Sequence, residues 1–180
     1  MINSKADLIL YLKEDQISLN YESRRHPRVF SDEIWKFERA MRRAEYYYNV
    51  YGAHSPFYLI AKLRYKKLSL KLGFSIPLNV FVPGLSIAHY GTIVVNGRAR
   101  VGSNCRLHAD TLIGGKVGDT GYPIIGDNCY IGCGAKIFGD ISIGNNVKIG
   151  ANAVVNKSCG DNVTLVGIPA KPIVNKEDGI

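Results

Sequence analysis

Between Ile125 and Val155 an aliphatic residue returns at every sixth position: Ile125, Ile131, Ile137, Ile143, Ile149 and Val155. Glycine follows it in four of the five units, and a small or β-branched residue (Cys129, Ala135, Ile141, Val147, Ala153) stands four places after it. A helix repeats at three and four, and a half-buried strand alternates in twos, so neither produces a clean six. A six-residue period is the signature of a solenoid whose triangular coils stack short strands joined by tight turns. The aliphatic residue fills the inside, the small one packs beside it, and glycine or asparagine takes the corner, where left-handed backbone is tolerated.

The frame also holds at Val95, Val101 and Leu107. It fails twice, around His89 and from Ile113 to Ile124, a glycine-rich segment that reads as a loop leaving the coil. In a regular scaffold such interruptions are where chemistry is sought. On an 18-residue coil, two breaks lying about a coil apart are expected to adjoin.

Before Gly73 the composition is different. Residues 1–22 show weak helical character. Ser31 reads as the cap of a helix over Ile34–Val50, with Trp35, Phe37, Ala40, Met41, Ala44 and Tyr48 on its apolar side and Gly52 ending it. Ser55-Pro56 opens another helix that runs to Gly73. The expected organisation is a helical region over 1–73, a β-helix over 74–173 and a tail over 174–180. Of the net charge of +8, most belongs to residues 1–73, which carry 14 Lys/Arg against 8 Asp/Glu. The cluster Arg42, Arg43, Arg64, Lys66, Lys67 and Lys71 has two readings: a solvated helix face, or electrostatic docking to an anionic membrane surface or an anionic acceptor. No nucleic-acid module is recognisable, and no run of apolar residues reaches membrane-spanning length. The N-terminus lacks a signal-peptide layout, so a cytoplasmic location is the default. Cys105, Cys129, Cys133 and Cys159 form no C-x-x-C pair. Three of them fall on the small inward position, as buried thiols rather than zinc ligands.

His89 stands at the first break. A neutral imidazole, with an ordinary pKa of ~6.5, suits removal of a proton from an attacking alcohol. Backbone N–H groups of Gly114 and Gly115 are candidates for holding the oxyanion. His108 reads as a wall residue of the same cleft.

His89 followed by Gly91-Thr-Ile-Val-Val, then Thr111-Leu-Ile-Gly-Gly, Ile131-Gly-Cys-Gly-Ala-Lys-Ile-Phe-Gly-Asp, Lys148-Ile-Gly-Ala-Asn-Ala-Val-Val and Val166-Gly-Ile-Pro-Ala-Lys form an ordered set. From about Ile76 to Ile173 the chain resembles the serine acetyltransferase branch of the hexapeptide-repeat acyltransferases. The resemblance implies a left-handed parallel β-helix, a homotrimer, acetyl-CoA as donor with no metal, and a CoA groove between neighbouring β-helices. It makes His89 the general base and places Gly115, Cys133, Lys148, Ala151 and Lys171 along the CoA groove. The chain departs from that branch at Phe74, where an aspartate pairs with the histidine, at Ala88, where Asp precedes it, and at Gly121-Tyr122-Pro123, where the loop ends in Arg-His-Pro. The His-Tyr-Gly-Thr-Ile-Val variant resembles acetyltransferases of capsule and exopolysaccharide clusters. The expectation is therefore direct acetyl transfer to a sugar hydroxyl of a polysaccharide or its precursor. Tyr90, His108, Asp110 and Tyr122 shape the acceptor pocket, and Asp110 or a backbone carbonyl orients His89. Serine O-acetylation and a non-catalytic scaffold are the alternatives. A zinc carbonic anhydrase of the same fold needs three histidines, and this β-helix has only His89 and His108.

Overall fold

The computed structural model describes residues 1–118 and 120–173. Three helices come first: α1 (Lys5–Ser18), α2 (Glu33–Tyr51) and α3 (Pro56–Leu72). α1 starts on a reciprocal cap in which the Ser4 hydroxyl accepts from the Asp7 N–H at 3.0 Å, while the Asp7 carboxylate accepts from the Asn3 and Ser4 N–H groups at 2.9 Å. Asp32, not Ser31, is the cap residue of α2, with φ 62°. Its side chain does not reach into the helix, because the Arg24 guanidinium and the Arg28 N–H occupy the carboxylate. Gly73 closes α3 at φ 78°, a left-handed turn in which its N–H reaches the Ser69 carbonyl.

Fourteen short strands follow: β1 (Phe74–Ser75), β2 (Ser86–Ile87), β3 (Ile93–Val95), β4 (Arg100–Val101), β5 (Arg106–Leu107), β6 (Thr111–Gly114), β7 (Ile124–Ile125), β8 (Tyr130–Ile131), β9 (Lys136–Phe138), β10 (Ser142–Ile143), β11 (Lys148–Ile149), β12 (Val154–Val155), β13 (Thr164–Gly167) and β14 (Ala170–Pro172). They form three parallel faces of a triangular coil. Face A runs β1-β3-β6-β9-β12, face B runs β4-β7-β10, and face C runs β2-β5-β8-β11-β13. β14 turns back antiparallel on β13 and closes the far end of face C. In the regular part the register steps by 18 residues, as from Ile131 to Ile149 and from Ile137 to Val155. Ile113 pairs with Ile137 and Leu107 with Ile131, steps of 24, so the glycine-rich segment is a six-residue insertion. Ile87 pairs with Leu107, a step of 20, so the His89 break is a two-residue insertion. Within the first coil Phe81 pairs with Val101, and Val82 is half-buried.

The aliphatic column is the core: Ile113, Ile131, Ile137 and Ile149 are all fully buried. Cys105 and Cys129 are buried in the small-residue column, and Cys159 is half-buried. One corner is an asparagine ladder. Asn104, Asn128, Asn146 and Asn162 all have φ between 55° and 60°, and each amide donates to the next along the stack at 3.0–3.3 Å. The repeated sequence thus satisfies polar groups that a stacked corner would otherwise leave unpaired.

The helices are joined to the coil by an ionic knot. Arg42, which sequence groups with the basic face, is fully buried. It donates to the Asp15 carboxylate at 2.7 and 3.2 Å, to Glu45 at 3.0 Å, and to the Phe81 and Val82 carbonyls at 2.8 and 2.9 Å. Asp15 in turn accepts from the Gly84 and Leu85 N–H groups, Glu45 from Asn79 N–H, and Glu38 from Ile87 N–H. Four ionisable side chains thereby grip the backbone of the first coil. Burial, reinforced by the Asp15 charge, pushes the Glu38 carboxyl well above the ordinary range.

Candidate active site

The two breaks stand at different corners. His89 lies in the corner that leads from face C to face A, just beyond β2. The glycine-rich loop leaves at the other end of face A, beyond β6. Thr111–Gly114 separates the corners by roughly 10 Å of strand, so within one chain the breaks do not adjoin, contrary to the expectation from coil stacking.

What does stack on His89 is a column of short residues. His108 and Ala109 occupy the same corner one coil on, Cys133 the next and Ala151 the one after, because each follows an inward residue of face C: Ile87, Leu107, Ile131 and Ile149. With coils ~4.8 Å apart, the column runs roughly 14 Å from His89 to Ala151. The His89 and His108 rings are 5.9 Å apart between centroids, and His108 meets Tyr130 at 4.9 Å. His89 is exposed, and no hydrogen bond to its ring is formed among the described residues. Two ties fix the backbone leading to it: Ala88 N–H donates to the Leu107 carbonyl at 2.9 Å, and Glu38 holds Ile87 N–H at 3.1 Å.

His108 is half-buried, and its Nε2 is buried without a hydrogen-bond partner. Burial, then the Arg106 and His89 charges, lower its pKa, so its neutral form is favoured. Neither Arg106 nor Tyr130 was anticipated. Each sits immediately before an inward residue of face C, Leu107 and Ile131, and the two pair in register; that position in the six-residue frame was the available signal. Arg106 donates to Ser86 Oγ at 2.9 Å.

The remaining candidates divide. Lys148 pairs with Tyr130 on face C, and Lys171 lies on β14 opposite Val166. Both are exposed and without an ion-pair partner among the described residues. Cys133 and Ala151 are exposed and short. A flat corner of small residues flanked by two unpaired lysines suits an extended chain that ends in phosphates. Gly114 and Gly115 lie at the far corner, where the Tyr122 ring occupies the space a Gly115 side chain would need. The Arg98 guanidinium sits 5.3 Å from the Tyr122 ring centre. Tyr90 turns toward the helices and lines a cavity of about 470 Å³ with Tyr21, Glu33 and Lys71. Asp110 pairs with Lys136 at 3.3 Å rather than with His89. Phe74 is buried on β1, edge-on to Phe37 at 5.0 Å. Of the four acceptor-pocket candidates, His108 is the one whose ring faces that of His89. Among the described residues no group of three His, Cys, Asp or Glu side chains is placed to hold a metal ion.

Comparison with known proteins matches residues 122–157 to the bacterial transferase hexapeptide family (six repeats). That match is confined to the regular six-residue frame after the glycine-rich loop. The chain is 39% identical over 98 residues to a serine acetyltransferase of Staphylococcus aureus, covering 53% of this chain and 45% of that protein. With a serine acetyltransferase of Synechococcus elongatus it shares 37% over 92 residues, covering 50% and 38%. The chain thus spans less than half the length of these relatives. Among solved structures, a Brucella abortus serine acetyltransferase in complex with coenzyme A superposes with a TM-score of 0.73 at 27% identity, covering 94% of this chain and 68% of that one. A Neisseria gonorrhoeae serine acetyltransferase in complex with serine gives 0.69 at 26%, covering 93% and 70%. The fold is accordingly a left-handed parallel β-helix with an N-terminal helical region. These relatives also correct the expected acceptor. The departures at Phe74, Ala88 and Tyr122, with the His-Tyr-Gly-Thr-Ile-Val variant, pointed to a sugar hydroxyl and a capsule setting, but the relatives 37–39% identical over 92–98 residues are serine acetyltransferases.

Proposed function

We propose that the chain is an acetyl-CoA-dependent acyltransferase that acetylates the hydroxyl of L-serine. The observation that carries this reading is the corner column, His89 and His108 on successive coils above short residues; it is supported by 39% identity over 98 residues to a serine acetyltransferase. In this proposal His89 takes the serine hydroxyl proton as the oxygen attacks the thioester carbonyl. The new C–O bond forms, the C–S bond breaks, and the proton passes from His89 to the leaving thiolate. Cys133 and Ala151 line the pantetheine path through their backbone, and Lys148 and Lys171 meet phosphates. Arg106, with His108 and Tyr130, supplies the polar wall for the amino acid, a role the departing residues Phe74 and Ala88 do not fill. Gly114 and Gly115 stand too far along face A to serve their own chain's His89. A homotrimer, as the resemblance implies, would bring a neighbour's loop to that corner.

The test is steady-state kinetics with acetyl-CoA and L-serine, for the wild type and for His89→Ala. A general base contributes roughly two to four orders of magnitude, and His89→Ala is expected to lose that much kcat with its melting temperature preserved. Absence of acetyl transfer to serine by the wild type refutes the reading. Turnover unchanged in His89→Ala removes the histidine from it.

A further inference from the structure

α3 presents an apolar stripe outward. Ile60, Leu63 and Leu70 are 69%, 72% and 81% exposed, and Leu59 is 48% exposed. At about 100° per residue these four fall within an arc of roughly 100°. Lys62 and Lys66 flank the arc on one side and Arg64 and Lys71 on the other, while Lys67 falls inside it, between Leu63 and Ile60. Across Pro56–Leu72 there are five basic residues and no acidic one. An outward apolar face bordered and crossed by cations, with no anion on the helix, suits an anionic interface, where a lysine within the face can extend its ammonium to the headgroups.

A second feature adjoins it. Between α2, α3 and the segment at His26–Val29 is a cleft of about 440 Å³ whose charged walls are Lys36, Arg39, Arg43 and Arg64. No acidic residue lines it, and among the described residues Arg39, Arg43 and Arg64 have no ion-pair partner. Burial, then the nearby charges of Arg43 and Arg64, lower the pKa of Arg39, as expected where like charges are packed without a counter-ion. Arg43 and Arg64 also form the rim of an apolar cavity of about 210 Å³ lined by Ala40, Phe57, Ile60 and Ala61. A cationic cleft therefore opens into an apolar one, and Ile60 belongs to both that cavity and the outward stripe.

We propose that this face docks on a bilayer containing anionic phospholipid, with Arg39, Arg43 and Arg64 receiving a lipid phosphate and Phe57, Ile60 and Leu63 entering the acyl boundary. A second copy of the chain is the disfavoured occupant, because α3 would meet its own uncompensated positive charge. The inference does not depend on the acyl-transfer reading.

Vesicle co-sedimentation tests it, using the full chain with phosphatidylcholine alone and with about one-third phosphatidylglycerol added. Binding is expected only with the anionic lipid. Arg43→Gln with Arg64→Gln is expected to weaken it roughly thirtyfold, at about a factor of five per lost cation. Ile60→Ser with Leu63→Ser is expected to weaken it about tenfold or more, since buried apolar area is lost. All four positions are at least partly exposed, and thermal melting checks that each pair folds. If the apolar pair melts early, Leu70→Ser replaces it. The proposal is overturned by failure to bind anionic vesicles, or by binding that ignores the apolar pair, which would reduce it to attraction of a basic protein. It is equally overturned if inorganic phosphate matched to the lipid phosphate displaces the protein, which would make the cleft a free-phosphate site. Loss of self-association in the apolar pair without vesicles would assign the face to a second copy.

Discussion

Replacing Arg42 with methionine is expected to be among the most damaging single changes in the helical region. The side chain is fully buried and makes five hydrogen bonds, three to carboxylates and two to carbonyls of the first coil. Methionine fills comparable volume, so packing loss is small and the electrostatic consequence is isolated. Asp15 keeps the Gly84 and Leu85 N–H groups and Glu45 keeps Asn79 N–H, but their charges lose the countercharge that offset burial. Breaking a buried ion pair from one side costs about 3–5 kcal/mol. Two carbonyls that lose a charged donor add about 1 kcal/mol each. The sum is roughly 5–7 kcal/mol, against a typical total of about 5–15 kcal/mol for a domain. Urea denaturation followed by the fluorescence of Trp35, the single tryptophan, fully buried and 5.0 Å from the Tyr21 ring, reads the change directly. A companion variant, Arg42→Met with Asp15→Asn and Glu45→Gln, removes the stranded charges and is expected to recover part of the loss. A loss below about 1 kcal/mol in the single variant, with an unchanged denaturant slope, would refute the account of the knot as a mutually dependent charge cluster.

Three further outcomes follow from local geometry. Ile131→Ala, in the fully buried column between Leu107 and Ile149, should cost about 2–5 kcal/mol in a denaturation midpoint, since stacked coils on both sides resist collapse into the cavity. Asp32 is held down to about 2, chiefly by its hydrogen bond from Arg24. Its folded-state pKa is depressed, so the stabilisation is complete above the ordinary value near 3.8 and is lost as pH falls toward about 2; in Asp32→Asn that part of the acid limb of a stability titration should flatten. On the proposed reaction, His108→Ala should raise KM for serine about threefold to tenfold, the worth of one hydrogen bond, while His89→Ala acts on kcat; equal falls in kcat and kcat/KM would place His108 among the reacting groups instead.

The coil was readable in the sequence because stacking repeats one packing problem, and the chain answers it with the same residue types every six positions. Both interruptions were readable for the same reason, down to their neighbourhood at His89 and Gly114. Their placement was not, because the corner each occupies depends on how many strands precede it and on insertions of two and six residues. That is how Gly115 and His89, paired on paper, come to lie at opposite ends of face A. The helical region obscured more. Arg42 follows the same sequence rules as its solvated neighbour Arg43, and only the backbone of residues 79–87 gives it a reason to be buried. The alternation of Arg106 and Tyr130 before inward aliphatics was visible, but nothing in a single strand shows which outward residue faces a cleft. The sugar expectation failed by weighing a few substituted positions above a likeness that runs over 98 residues.

The antiparallel return of β14 has a consequence for the chain as a polymer. A parallel coil is open at both ends, and each open end offers unpaired backbone to another coil of the same pitch. At the start, α2 and the Phe37–Phe74 contact cover the first turn. At the finish, Ala170–Pro172 folds back across β13 in the opposite direction, and Pro172 contributes no N–H. A subunit arriving with parallel strands would find the wrong polarity and a missing donor. The same few residues that bring Lys171 alongside face C therefore also bar an incoming parallel coil from extending that face.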